Sequence, residues 1–105
     1  GLIKTTTDKF NTSKLKNLKI PHIGFNSVKS SKNGILYKNL ESTSDFYFVH
    51  SFCMSIENLN GCIGICSYGY DFLASYENEN IFATQFHPEK SQTNGLQLLK
   101  NFLTY

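Results

Sequence analysis

The sequence predicts an α/β domain: a mixed sheet rich in antiparallel strands, with a C-terminal helix packed on it. Three observations carry this. "DFYFVHSFCMSI" (residues 45–56) is an almost unbroken aromatic and β-branched run, the composition of a strand. Three more such runs, "CIGICSY", "YDFLASY" and "IFATQF", follow at short intervals, divided by Gly69 and the polar turn "ENEN"; connections this short favour an antiparallel meander. Beyond "HPEKS" the period changes, because Leu96, Leu99, Phe102 and Leu103 fall at i, i+3, i+6 and i+7, one face of a helix expected to lie on the sheet.

Residues 2–17 scatter Leu2, Ile3, Phe10 and Leu15 among Lys, Thr, Asn and Ser, a pattern that reads as a short strand followed by a surface loop. "LKIPHIGFN" (18–26) is a short apolar segment interrupted by Pro21. Proline donates no ladder hydrogen bond, so an edge strand or a strand entering a loop is expected here, not a central one, with Gly24 and Asn26 allowing a tight turn. Asn33-Gly34 is a turn signal, and the apolar patch after it is expected to form one or two helical turns. The 45–56 run is expected to be one strand covered on both faces. Its alternation sets Phe46, Phe48, His50 and Phe52 on one side and Tyr47, Val49, Ser51 and Cys53 on the other. Ser91 or Thr93 stands where a cap for the last helix is needed.

The 105 residues suffice for one domain at most, and 40% hydrophobic content, with nine Phe and six Tyr, is too high for a disordered chain. Ten basic residues against eight acidic leave a net charge of +2. The Lys residues are densest in the polar first forty positions without forming an aromatic-basic stripe, so a nucleic-acid partner is not expected. No apolar run approaches the roughly 20 residues that span a bilayer, and no charged-then-apolar signal opens the chain. A cytoplasmic protein with no membrane partner is expected. Cys62 and Cys66 form a C-x-x-x-C in an apolar run, without a second pair or the His spacing of a zinc site. They are read, like Cys53, as free thiols, and neither a metal nor an organic cofactor is expected.

The chemistry-bearing stretch is "FHPEKS". Pro88 disfavours the α region for His87 and holds the chain extended at the end of the last strand, so that His87 and Glu89 are expected to share a face. A carboxylate there can accept from one imidazole nitrogen, fix the tautomer and leave the other nitrogen to take or give a proton. This is the base and its orienting partner from a nucleophilic triad. His50 is read as a satisfied interior histidine, and His22 carries no assigned chemistry.

"QFHPEKSQTNGLQLLKNFL" closely resembles the C-terminal signature of the class I (triad-type) glutamine amidotransferases. "KIPHIGFN", "FYFVHSF" and "FHPEKSQ" occur in the order of one branch of that family, the glutaminase subunits of imidazole glycerol phosphate synthase in histidine biosynthesis. The resemblance implies the C-terminal half of a flavodoxin-like three-layer domain, and a glutaminase that hydrolyses glutamine and passes ammonia to a cyclase or synthase subunit in a heterodimer. It makes His87 the general base and acid and Glu89 its orienting partner, with Ser51 and Phe52 lining the glutamine pocket. Gly24, Phe25, Asn26, Tyr47 and Lys90 match positions near the synthase interface. Phe25 stands where the family usually has Trp and Phe52 where Tyr is common, changes that keep the ring but remove a donor.

Amide hydrolysis of this kind needs a thiolate nucleophile and oxyanion donors, which the family places in a glycine-flanked turn well before "PHIGFN". "GICSYG" (64–69) falls in the wrong order and lacks the Gly-x-Cys-x-Gly spacing. The 105 residues are therefore expected to be the C-terminal part of one amidotransferase domain, lacking the nucleophile half and inactive alone. Two other expectations stand beside this one: a paralogous subunit for amidation of cell-surface sugars, and a non-catalytic module that docks a partner.

Overall fold

A computed structural model describes residues 2–31, 33–57 and 59–105. Among these, seven strands form one sheet: β1 (Thr7–Lys9), β2 (His22–Ser30), β3 (Thr43–His50), β4 (Phe52–Met54), β5 (Cys62–Ser67), β6 (Asp71–Asn78) and β7 (Ile81–Thr84). A one-turn helix, α1 (Thr12–Leu15), follows β1, and α2 (Gln92–Thr104) comes last. The strand order is β1-β4-β6-β5-β2-β3 with β7 also against β6, and every pairing among the described residues is antiparallel. The expected meander is β5-β6-β7.

β6 is the axis of this sheet. One of its edges carries β5, and the other is shared, with β4 at Leu73 and β7 from Ser75 to Asn78. The register slips between Gly64↔Ser75 and Ile65↔Leu73, which leaves Ala74 as the extra residue of a β-bulge. The Ala74 carbonyl accepts from the Gln85 N–H at 2.7 Å, carrying the β7 ladder one step further toward His87.

Five local expectations are corrected by tertiary context. Pro21 falls one residue before β2, where it removes no ladder donor, so β2 lies inside the sheet between β3 and β5. It also runs through Gly24 and Asn26 without turning; Gly24 has φ +121°, which glycine adopts without steric cost. The 45–56 run is two strands, because the chain bends at Ser51 and β4 leaves β2 to pair with β1 and β6. The bend inverts the alternation: Phe46, Phe48 and His50 are buried, whereas Phe52 is 54% exposed and Cys53 is buried. β3 is moreover last in the strand order, and its outer face, with Val49 exposed, is not covered. After Asn33 and Gly34 the chain makes two successive turns, closed by Lys38 N–H to Ile35 O and Leu40 N–H to Tyr37 O, in place of regular helix.

α2 corrects the fifth. It packs through Gly95, Leu98 and Asn101, while Leu96 and Leu103 are exposed. Gly95 sits against the Pro88 carbonyl oxygen so closely that a Cβ would overlap it. A glycine, counted as neutral in any hydrophobic pattern, therefore sets the contact line and rotates the leucines away. Asn101 adds hydrogen bonds to Leu36 O (2.8 Å) and Lys38 O (2.7 Å). From the other side, the buried Glu77 carboxylate accepts from the N–H groups of Ile35 (2.6 Å) and Leu36 (3.1 Å). The loop between β2 and β3 is thus held at both its donors and its acceptors, as buried backbone requires.

The core is aromatic. Phe46 stacks on Phe86 at 4.2 Å, and Phe48 meets Phe72 and Phe86 edge-on at 5.8 Å, the offset and T-shaped geometries that ring quadrupoles favour. Phe86 is the residue before His87, so the core fixes the strand end that carries the site.

Candidate functional site

His87 leaves the β7 side of the sheet in extended conformation (φ −100°, ψ 100°), and Pro88–Lys90 then form a single 3-10 turn. His87 and Glu89 therefore meet by curling through that turn, where an extended chain was expected. Nδ1 of His87 lies 3.4 Å from Oε1 of Glu89, with the side chains 39% and 56% exposed. This is just outside hydrogen-bonding range and leaves Nε2 free.

The backbone of Tyr47 holds this turn in place. Phe25 faces Tyr47 across β2 and β3, and the alternation of an antiparallel ladder turns the Tyr47 N–H and C=O away from β2, out of the sheet edge. There the His87 N–H donates to Tyr47 O at 2.9 Å, and the Tyr47 N–H donates to Oγ of Ser91 at 2.9 Å. The Ser91 hydroxyl in turn donates to His87 O at 2.7 Å. Ser91 occupies the N-cap position of α2, but its side chain makes no cap hydrogen bond. It is instead a buried staple between β3 and the His87 turn.

Around this turn, Lys90 Nζ lies 5.9 Å from the centre of the Tyr47 ring and Phe25 meets the same ring edge-on at 5.5 Å. Phe25, Tyr47 and Lys90 therefore form one patch. Asn26 belongs elsewhere: its amide lies 3.2 Å from Nε2 of His22 and donates to Ser67 O at 3.0 Å. Gly24 pairs with Phe48. Ser51 is half-buried at the bend, where its carbonyl accepts from the Phe10 N–H, and Phe52 projects outward.

Sequence reasoning passed over His22, which the structure places in contact with His50. The two residues are partners across β2 and β3, and both are buried. Nδ1 of His22 lies 2.8 Å from Nε2 of His50, whose own Nδ1 lies 2.8 Å from Phe52 O. Burial, then the neighbouring His50, push the His22 imidazole down to about 4. Burial also lowers His50; the hydrogen bond to Phe52 O opposes this and the nearby His87 adds to it. Pairing "PHIGFN" with "YFVHSF" antiparallel sets one histidine against the other only in the register observed here, which neither run specifies.

All three cysteines are free. The Cys66 thiol is pushed up to about 12, chiefly by burial and next by Asp71, the opposite of an activated nucleophile. Cys53 is buried with its sulfur 3.5 Å from the Tyr70 hydroxyl, and Cys62 is half-buried. Among the described residues no three His, Cys, Asp or Glu side chains are grouped to hold a metal ion, and no helix is long and apolar enough to cross a membrane.

The arrangement can accept and return a proton at His87 Nε2, with a carboxylate at the far nitrogen. Residues 4–105 match the family model for glutamine amidotransferase class-I. The chain is 46% identical to imidazole glycerol phosphate synthase subunit HisH of Leptospira borgpetersenii, over 97% of this chain and 50% of the relative. Subunit HisH 1 of Campylobacter jejuni (strain RM1221) is 49% identical over 83% of this chain and 43% of the relative. Subunit HisH of Buchnera aphidicola subsp. Acyrthosiphon pisum (strain APS) is 43% identical over 98% and 50%. The chain thus spans about half the length of the curated relatives it matches. With the matched family model covering nearly every residue and the His-Pro-Glu turn seated at the sheet edge, the chain belongs to the class I glutamine amidotransferases.

Proposed function

We propose that these residues form the base-and-acid half of a glutaminase site, which hydrolyses glutamine to glutamate and ammonia. The observation that carries this reading is the His87–Glu89 pair, accessible and held by Tyr47 and Ser91. His87 Nε2 takes the proton of a cysteine thiol and delivers it to the departing ammonia, while Glu89 stabilises the imidazolium. That thiol belongs to the other half of the domain; Cys66, pushed up by burial, and the buried Cys53 lack the environment of a nucleophile. Ser51 and Phe52 line the glutamine pocket.

The similarity to subunits of imidazole glycerol phosphate synthase supports a synthase partner, one that uses the ammonia to make imidazole glycerol phosphate in histidine biosynthesis. The patch of Phe25, Tyr47 and Lys90 is the surface offered to that subunit in a heterodimer, with Gly24 and Asn26 outside the patch itself. Ammonia release from glutamine by the complete enzyme with its synthase subunit tests the reading. His87→Ala is expected to lower the rate by about 10²–10⁴-fold, the range of a positioned acid-base group. An unchanged rate would take His87 out of the chemistry and the reading with it.

A further inference from the structure

The buried histidines form a chain of hydrogen bonds whose direction is fixed at both ends. Phe52 O can only accept, so the proton on His50 is at Nδ1 and, in the neutral ring, Nε2 accepts. The His22 Nδ1–H then donates to His50 Nε2, and His22 Nε2 accepts from the Asn26 amide. The second amide hydrogen of Asn26 goes to Ser67 O, and its Oδ1 accepts from the Ser27 N–H, so the amide cannot flip without losing both. Every donor meets an acceptor when both rings are neutral. An added proton on either ring would set two donors face to face, at His22 Nε2 or between the rings.

This chain starts on β2 beside the Phe25 patch and ends on the carbonyl that follows the Ser51 bend, where β3 gives way to β4. We propose that His22 and His50 are positioning residues for the glutamine pocket, holding the Ser51–Phe52 bend through the hydrogen-bond relay from Asn26 to the Phe52 carbonyl. The inference rests on the glutaminase reading above. Neither ring touches the reacting atoms; each acts through the backbone that presents Ser51 and Phe52.

The test uses the complete enzyme with its synthase subunit and glutamine as the varied substrate. His22 is stacked between Phe48 (4.8 Å) and Tyr68 (4.0 Å), so His22→Phe keeps the packing and removes the relay, while His22→Asn keeps a donor near the position of Nδ1. His22→Phe is expected to raise KM for glutamine by about 3- to 10-fold, the scale of one lost hydrogen bond, with kcat within about twofold, and His22→Asn to recover most of the loss. A His22→Phe enzyme with wild-type KM overturns the proposal, as does a His22→Asn enzyme no better than it. Should His22→Phe not fold, imidazole 15N shifts of the wild type decide: both rings as neutral Nδ1–H tautomers support the relay, and any other state at neutral pH overturns it. A wild-type enzyme that releases no ammonia sinks the glutaminase reading and the pocket assignment together, whereas an active enzyme indifferent to His22→Phe sinks the relay alone.

Discussion

The three histidines of this chain occupy two environments on either side of β3. His87 stands outside the sheet edge, accessible, with a carboxylate near one nitrogen. His22 and His50 lie inside, stacked among aromatic rings, with both nitrogens of each ring occupied by groups that require the neutral form. The residue type is the same and the chemistry opposite. What distinguishes them is the partner at the second nitrogen: an acidic oxygen accommodates a proton, and a chain ending on an amide donor refuses one.

The sharpest way to break this contrast is at Glu89. Glu89→Gln removes the charge that stabilises an imidazolium at His87, and the glutaminase rate of the complete enzyme is expected to fall by about 10⁴-fold, the order lost when a triad carboxylate is neutralised or removed. A rate within twofold of wild type would leave the pair without its assigned division of labour. On the inner side, Phe48→Ala opens a cavity under the histidine pair, and urea denaturation should show a loss of about 3–5 kcal/mol. A loss under 1 kcal/mol would mean the inner rings are not held by close packing.

Ser91→Ala tests the seam between the two environments. It leaves the Tyr47 N–H without its acceptor and His87 O with the Lys90 N–H as its remaining donor, for an expected cost of about 1–3 kcal/mol, with a fall in kcat because the turn carrying His87 loosens. Acid sensitivity sharpens the inner side. The His22 pKa is lowered on folding from 6.5 to about 4, so the unfolded chain binds more protons between these values and stability falls as pH drops through that window. His22→Phe is expected to flatten the pH dependence of the unfolding midpoint there; an unaltered slope would remove His22 as its source. Lys90→Ala should have the smallest effect, a loss of about 0.5–1 kcal/mol of stability from the exposed cation–π contact with Tyr47, read by urea denaturation.

The sequence made the meander, the last helix and the pairing of His87 with Glu89 visible, because each depends on local pattern: β-branched and aromatic runs, a change of period, and a His-Pro-Glu spacing at a strand end; the turn that brings the pair together was not. What it concealed depends on partners distant in the chain. Nothing near Ser51 shows that β4 will exchange β2 for β1 and β6. Gly95 carries no hydrophobic signal, yet its approach to the Pro88 carbonyl turns α2. Ser91 reads locally as a cap, and only the unspent edge of β3 makes it a staple. His22 had no acidic neighbour in sequence; its partner is an identical side chain 28 positions away.

The edge of β3 has one more consequence. A terminal strand with open N–H and C=O groups invites another chain to add to the sheet. Here three of those groups are already taken: the Tyr47 C=O and N–H by His87 and Ser91, and the Asp45 carbonyl by the side chain of Asn94. The segment that presents the proton-transfer group is also the lid on an adhesive seam. Lesions that lift it would be felt first as clumping in the cell, and a screen for lost activity alone would mistake an insoluble enzyme for a chemically dead one.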